Sequence, residues 1–178
     1  MTTPLPRDQR RAALLDAMAE HLLAHGLAGS PLRALARAAG TSDRMLLYYF
    51  ADRDELLGAL LDHVAARLQA MLDTIDPTPQ PWATLLRAMW ELARTPALRP
   101  YLQLFLDLAT AAGRGEEPHR TAAGRLAGGF IDWTAAPLDP TEGPTRARAT
   151  LLLATLDGLF LIAGTGREED VAAALTAL

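Results

Sequence analysis

The residues best placed to do chemistry in this chain are arginines. All 17 basic residues are Arg, and Arg33, Arg37, Arg44 and Arg53 fall between Ser30 and Arg53 against only Asp43 and Asp52. That stretch carries +2 in a chain whose formal net charge is −4, so the other residues together carry −6. A local basic patch of this kind suits a surface that meets phosphate, while the rest of the molecule stays acidic. Other chemistry is thin. Cysteine is absent, which removes thiol catalysis, disulfides and Cys-based zinc sites and fits a reducing cytosol. His21 and His25 stand four apart on a helix, a metal-ligand spacing, yet no HExxH pattern or third ligand accompanies them. His63 follows Asp62 and His119 sits in a loop, and neither joins a Ser/Asp triad. No nucleophile, base and orienting group coincide, so catalytic residues, a cofactor and a metal are not expected.

The elements that must hold the arginines are helices. Ala and Leu number 69 against 5 for Val and Ile, a ratio that excludes a sizeable sheet. With 50% apolar and 21% charged residues the chain is neither disordered nor short of a core. Punctuation by Pro, Gly and capping residues predicts nine helices: Arg7 to His25, Leu32 to Ala39, Asp43 to Tyr49, Arg53 to Asp73, then runs near 81–94, 97–112, 119–134, 144–164 and 167–177. Gly26 should close the first, Ser30 before Pro31 should cap the second, and Thr41 and Ser42 offer the cap of the third. Asp52 with Glu55 resembles a capping box for the fourth. The stretch from Asp76 to Pro81 reads as a linker. The opening MTTPLPRDQRR has no apolar h-region, and the apolar run Leu151 to Ala163 is too short to span a bilayer, so a cytoplasmic protein with no membrane partner is expected.

Leu32 to Ala39, the turn Gly40-Thr41-Ser42, and Asp43 to Tyr49 form a helix-turn-helix signature. Leu35, Ala36 and Ala39 are small or apolar enough to pack steeply on Leu46, and Gly40 permits the tight turn. Such packing leaves exposed a second helix whose N-terminal residues can reach base edges in a major groove about 12 Å wide.

The stretches LLDAMAEHLLAHG and SPLRALARAAGTSDRMLLYYFADRDELL resemble the N-terminal domain of the TetR family of bacterial transcriptional regulators, and RARATLLLATLDGLFLIAG resembles that family's penultimate helix. The resemblance implies an all-α fold: a three-helix, helix-turn-helix DNA-binding domain over residues 1–52 and a helical effector-binding and dimerisation domain over 53–178. It implies that Arg33 reads DNA from the first helix of the motif and that Thr41, Ser42, Asp43, Arg44 and Met45 form the reading edge of the second. Arg44 can donate two bonds to guanine, Asp43 can accept from cytosine, and Met45 can pack on a thymine methyl. Asp43 is equally suited to being a first-turn acid favoured by the helix dipole.

The chain departs from the family pattern at Thr41, usually valine, and at Leu47, usually a phosphate-gripping tyrosine. Tyr49 stands where a histidine is common and Arg53 where a lysine is. The phosphate grip is therefore expected on Tyr48, Tyr49 and Arg53. The implied partners are a palindromic duplex operator, a second copy of the chain and a small effector, apolar or aromatic, that releases a repressor from DNA. Trp82, Trp90, Tyr101, Phe105, Phe130 and Trp133 are candidates for the effector pocket, with ordinary core packing as the alternative. Leu152, Leu156, Leu159, Phe160, Val171 and Leu175 recur at helical spacing and are candidates for the dimer seam, with inward packing as the alternative. A helical ligand-binding protein or scaffold that has lost DNA binding is the competing reading, motivated by Leu47 and Asp43.

Overall fold

The first helix, α1 (Arg7–His25), closes where Gly26 turns to φ +67° and its N–H bonds the Leu22 carbonyl at 2.8 Å. It is followed by α2 (Leu32–Ala38), α3 (Asp43–Tyr49), α4 (Arg53–Leu72), α5 (Trp82–Ala93), α6 (Arg99–Gly113), α7 (His119–Ala135), α8 (Thr145–Gly164) and α9 (Glu168–Thr176). This computed structural model describes residues 6–75 and 78–178. Residues 1–5, the start of the segment read for a targeting signal, lie outside the described residues, as do 76 and 77 at the start of the expected linker. Among the described residues the architecture is all-α, with nine helices, a 3₁₀ turn over Pro140–Glu142, and one isolated parallel bridge between Gln80 and Leu138.

Packing divides the chain into two compact units. The first holds the described residues up to Ala70 together with Gln103–Gly124; the second holds Met71–Leu102 and Arg125–Leu178. In the first unit, α1 contributes Leu14, Leu15, Met18, Ala19 and Leu22 to the core, and α4 contributes Leu56, Leu60, Leu61 and Val64. Two polar ties join the same helices at the surface: His63 Nε2 lies 2.7 Å from Asp16 Oδ1, and Arg67 Nη2 lies 2.6 Å from Glu20 Oε1. Asp107 of α6 reaches the end of α1, its Oδ2 accepting from the Leu27 N–H at 3.4 Å. A side chain at Gly26 would meet that carboxylate at 2.8 Å, a contact Asp107 could relieve by moving, so it is the positive φ that requires glycine there.

Ser30 does not cap α2. Pro31 occupies the cap position, and the Ser30 hydroxyl instead donates back to the Gly26 carbonyl at 2.7 Å, bracing the turn between α1 and α2.

The core of the second unit corrects the expected dimer seam. Leu152, Leu156 and Leu159 of α8 and Val171 and Leu175 of α9 are buried with Leu86, Met89 and Trp90 of α5, and Phe160 packs against the same cluster. These six side chains fill the chain's own core. What α8 leaves outside is a different stripe: Leu151, Leu161 and Ile162 are 59%, 57% and 47% exposed. As a whole helix, α8 is also long and apolar enough to cross a membrane by length and composition, although the run Leu151–Ala163 on its own, interrupted by Asp157, is too short. Its inward face, Ala149, Leu152, Leu156 and Leu159, is nonetheless committed to protein packing.

Asp157 breaks the apolar pattern of α8. Its Oδ1 is buried with no hydrogen-bond partner among the described residues, and burial pushes its carboxyl up to about 6. A carboxyl whose folded pKa is raised favours the protonated folded state. Stability from this group is therefore full below its unfolded value near pH 4 and is lost as pH rises towards 6. Asp157→Asn should raise the melting temperature at pH 7.5 by about 2–4 °C, on the order of 1 kcal/mol after allowing for solvent at its open edge. At pH 4 the gain should nearly vanish. An equal shift at both pH values in thermal melts would show that the charge is not the cause.

Candidate nucleic-acid interface

The turn between α2 and α3 is built from backbone bonds that require its glycine. Gly40 takes φ +62° and donates to the Arg37 carbonyl at 3.0 Å, while Thr41 N–H reaches back to the Ala36 carbonyl at 2.9 Å. Those two bonds are the Schellman pairing, and they satisfy carbonyls that the end of α2 would otherwise leave open. Ser42 then caps α3, its hydroxyl accepting from the Met45 N–H at 3.3 Å. Leu35 and Ala36 are buried, as is Leu46, the one buried residue of α3; Phe50, immediately after it, is buried too.

Everything else on α3 faces outward to some degree. Arg44 is exposed, Met45 and Leu47 are 42% and 44% exposed, and Tyr48 is 64% exposed. Tyr49 is half-buried, its ring edge-on to Tyr48 with centroids 5.3 Å apart. Arg33 of α2 is almost fully extended into solvent, and its Nε stands 3.8 Å from Asp43 Oδ2. That pair offsets the acid on the edge of α3 without removing Arg33 from the surface. Thr41 is half-buried and Ser42 exposed. Arg53 opens α4 exposed, with no hydrogen bond or ion pair among the described residues. The structure thus gathers Arg33, Asp43, Arg44, Met45 and Tyr48 on and beside α3, with Arg53 at the start of the following helix.

The start of α4 is held by the expected carboxylates, with one change of partner. Asp52 accepts from the Glu55 N–H at 2.8 Å, but the Glu55 carboxylate bonds the N–H of Ala51 rather than that of Asp52. The capping box is therefore spread over one extra residue, tying down the chain between Phe50 and α4.

Two arginines of α1, not singled out in the sequence, complete the surface. Arg7 Nη2 donates to the Tyr48 carbonyl at 3.3 Å and its guanidinium lies 5.6 Å from the Tyr48 ring centre. Arg11 sits 4.6 Å over the Phe50 ring and bonds Glu55 at 3.2 Å. The cluster Arg7, Arg10 and Arg11 ahead of the first apolar run was the available signal, but their partners lie some forty residues away in the chain.

The histidine pair stacks at 4.1 Å between ring centres, with His21 Nε2 3.2 Å from the Gly29 carbonyl and His25 Nδ1 2.9 Å from the His21 carbonyl. Among the described residues no cluster has the makings of a metal site. The six aromatics considered for an effector pocket do not converge. Trp90 belongs to the second unit's core, and Trp82, Phe130 and Trp133 pack against it, with Phe130 and Trp133 centroids 6.0 Å apart. Tyr101 is buried, and Phe105 belongs to the first unit. Arg87 donates to the Leu175 carbonyl at the end of α9, and Arg94 pairs with Glu91 and lies over Trp90, so both have structural partners.

A seven-residue helix standing on one buried leucine, joined through a left-handed glycine to a second helix of the same length, defines a helix-turn-helix protein. Residues 14–60 match the family of bacterial regulatory proteins called the tetR family. An HTH-type transcriptional regulator of Mycobacterium bovis is 33% identical over 135 residues, 73% of this chain and 58% of that protein, so the chain spans less than two thirds of that relative. A TetR-family structure from Streptomyces coelicolor shares 29% identity over 95% of this chain and 97% of that one, with a TM-score of 0.64. The multidrug binding protein EbrR, solved with proflavin, shares 27% identity over 94% and 98%, also at 0.64. Over residues 14–60 the chain belongs to the tetR family of bacterial regulatory proteins. The relatives it matches are named as regulators and binding proteins, not as enzymes.

The Ser42 cap generates a local prediction. Ser42→Ala should cost about 1 kcal/mol in α3, which speeds exchange of the Met45 amide about fivefold. Hydrogen exchange followed by NMR reads this amide directly, and unchanged protection would mean the cap does not hold the helix.

Proposed function

We propose that this chain is a transcriptional repressor that binds a palindromic operator as a homodimer and leaves it when a small molecule enters the effector domain. In this reading residues 1–52 read DNA and 53–178 bind the effector and the second copy. The observation that carries it is the outward face of α3, where Arg44, Met45 and Tyr48 stand free beside the Arg33–Asp43 pair. Arg44 supplies the donors for a guanine edge, Asp43 the acceptor for a cytosine amine, and Met45 the apolar contact for a thymine methyl. Tyr48, Tyr49 and Arg53 grip phosphate, taking over from the position of Leu47. The likeness to EbrR, a multidrug binding protein solved with the planar aromatic proflavin, supports an apolar or aromatic effector, with Trp82, Phe130 and Trp133 at its edge. A cytoplasmic location and the absence of catalysis follow from the same reading.

One motif offers too few contacts for a specific site, so two must be held about 34 to 36 Å apart or at a multiple of that spacing. Leu151, Thr155, Gly158 and Ile162 follow one stripe of α8 at helical spacing, with open space over Gly158. Two exposed apolar side chains flanking a glycine suit close approach of the same helix from a second copy, and this stripe replaces the inward one as the seam. The second reading, a ligand-binding helical protein without DNA binding, is favoured by Leu47, which presents an apolar side chain where a hydroxyl donor is usual.

A gel shift on the DNA upstream of the chain's own gene separates the two readings. Retardation is expected; none at low salt supports the second. Arg44→Ala should cost about 1–3 kcal/mol on the bound site and relax one base position per half-site, whereas Arg53→Ala should weaken all sequences alike and lower the salt slope by about one. Ile162→Arg should give folded monomer in sedimentation, with helicity intact. Leu156→Arg should instead unfold the second unit, since an unpaired charge in its core costs about 3–5 kcal/mol. A dimeric Ile162→Arg protein would move the seam elsewhere.

A further inference from the structure

A pocket of about 250 Å³ opens in the first unit. Its walls are leucines: Leu22 of α1, Leu35 of α2, and Leu56 and Leu57 of α4. Its polar rim is set by the starts of two helices, Arg53 and Asp54 at α4 and the turn 117–119 leading into α7. No aromatic ring other than the His119 imidazole lines it, so the interior is shaped for aliphatic rather than planar groups. An apolar cavity of about 150 Å³ holds benzene, so this one has room for a molecule of about ten heavy atoms.

The rim charges decide the head group. Helix N-termini favour anions, but both of these already carry a carboxylate of their own. Asp52 accepts from Glu55 N–H at α4, and Glu117 accepts from the Thr121 N–H and hydroxyl at 3.2 and 2.9 Å. What remains is Arg53 and Asp54, adjacent, opposite in charge and without hydrogen bonds or ion pairs among the described residues, together with His119 Nδ1, which is buried with no hydrogen-bond partner there and lies 3.9 Å from Glu116 Oε2. An anionic head would gain Arg53 and be repelled by Asp54 and Glu117; a cationic head would meet the reverse. A neutral head that both donates and accepts can use both sides.

We propose that this pocket binds a compact aliphatic molecule with an uncharged head that both donates and accepts a hydrogen bond, such as a primary amide or an alcohol. The site lies in the first unit, not the second, and it shares Arg53 with the proposed phosphate grip.

Octanamide, octan-1-ol, octanoate and octylamine keep one chain and vary only the head. Leucine-methyl NMR on the full chain should give saturable shifts at Leu35 and Leu57 with octanamide and octan-1-ol, and at least tenfold weaker binding of the two ions. Leu57→Trp, which fills the pocket, should abolish the shifts while leaving the circular dichroism unchanged. Asp54→Asn, on an exposed side chain that cannot unfold the protein, should improve octanoate binding severalfold. Shifts confined to leucines of the second unit, equal affinity for all four heads, or no response to Asp54→Asn would overturn the proposal.

Discussion

Leu46 is the contact on which the reading surface depends. A helix of seven residues is too short to form alone, because nucleation costs about 4 kcal/mol before any tertiary gain. Burying one leucine and one phenylalanine returns about 3–6 kcal/mol, which is enough to offset that cost but leaves little surplus. Leu46 and Phe50 supply this burial, in the same unit as the buried Leu35 and Ala36 of α2. Hence α3 can expose nearly every other side chain and still be a helix. The Schellman bonds at Gly40 and the Ser42 cap set the angle at which it is presented.

The electrostatics of the same surface follow from how the acids are spent. Asp52 and Glu55 are used as caps, and Asp43 lies beside Arg33, so none of the three stands alone against a nearby phosphate. Arg44 and Arg53 keep their charge unpaired among the described residues. Arginine holds that charge at any pH at which the chain folds, so the positive field of the patch is constant. The one acid that burial pushes up towards neutrality, Asp157, lies in α8 and not on this surface.

Helix limits were legible because Gly and Pro punctuate an Ala- and Leu-rich chain: α1 and α3 match their expected ends, and α8 begins one residue after Pro144. The Ser42 cap and the Asp52–Glu55 pair could be read from residue type and spacing alone. The inward face of α8 could not. Leucine, isoleucine and alanine surround most of that helix, so periodicity selects no face, and only packing against α5 and α9 shows that Leu152, Leu156 and Leu159 point in while Leu151 and Ile162 point out. Nor could local pattern reveal that Gln103–Gly124 packs with the helix-turn-helix rather than with the residues on either side of it. The Arg7 and Arg11 contacts escaped for the same reason, since they join residues more than forty positions apart.

The bond from Arg7 to the carbonyl of Tyr48 also fixes where the chain begins its first helix: beside the last turn of α3. An affinity handle or fluorescent protein attached at the start of α1 would begin in the unit that carries α3, whereas one attached after Leu178 would begin in the other. The choice of terminus in expression work is therefore set by a single side chain of α1.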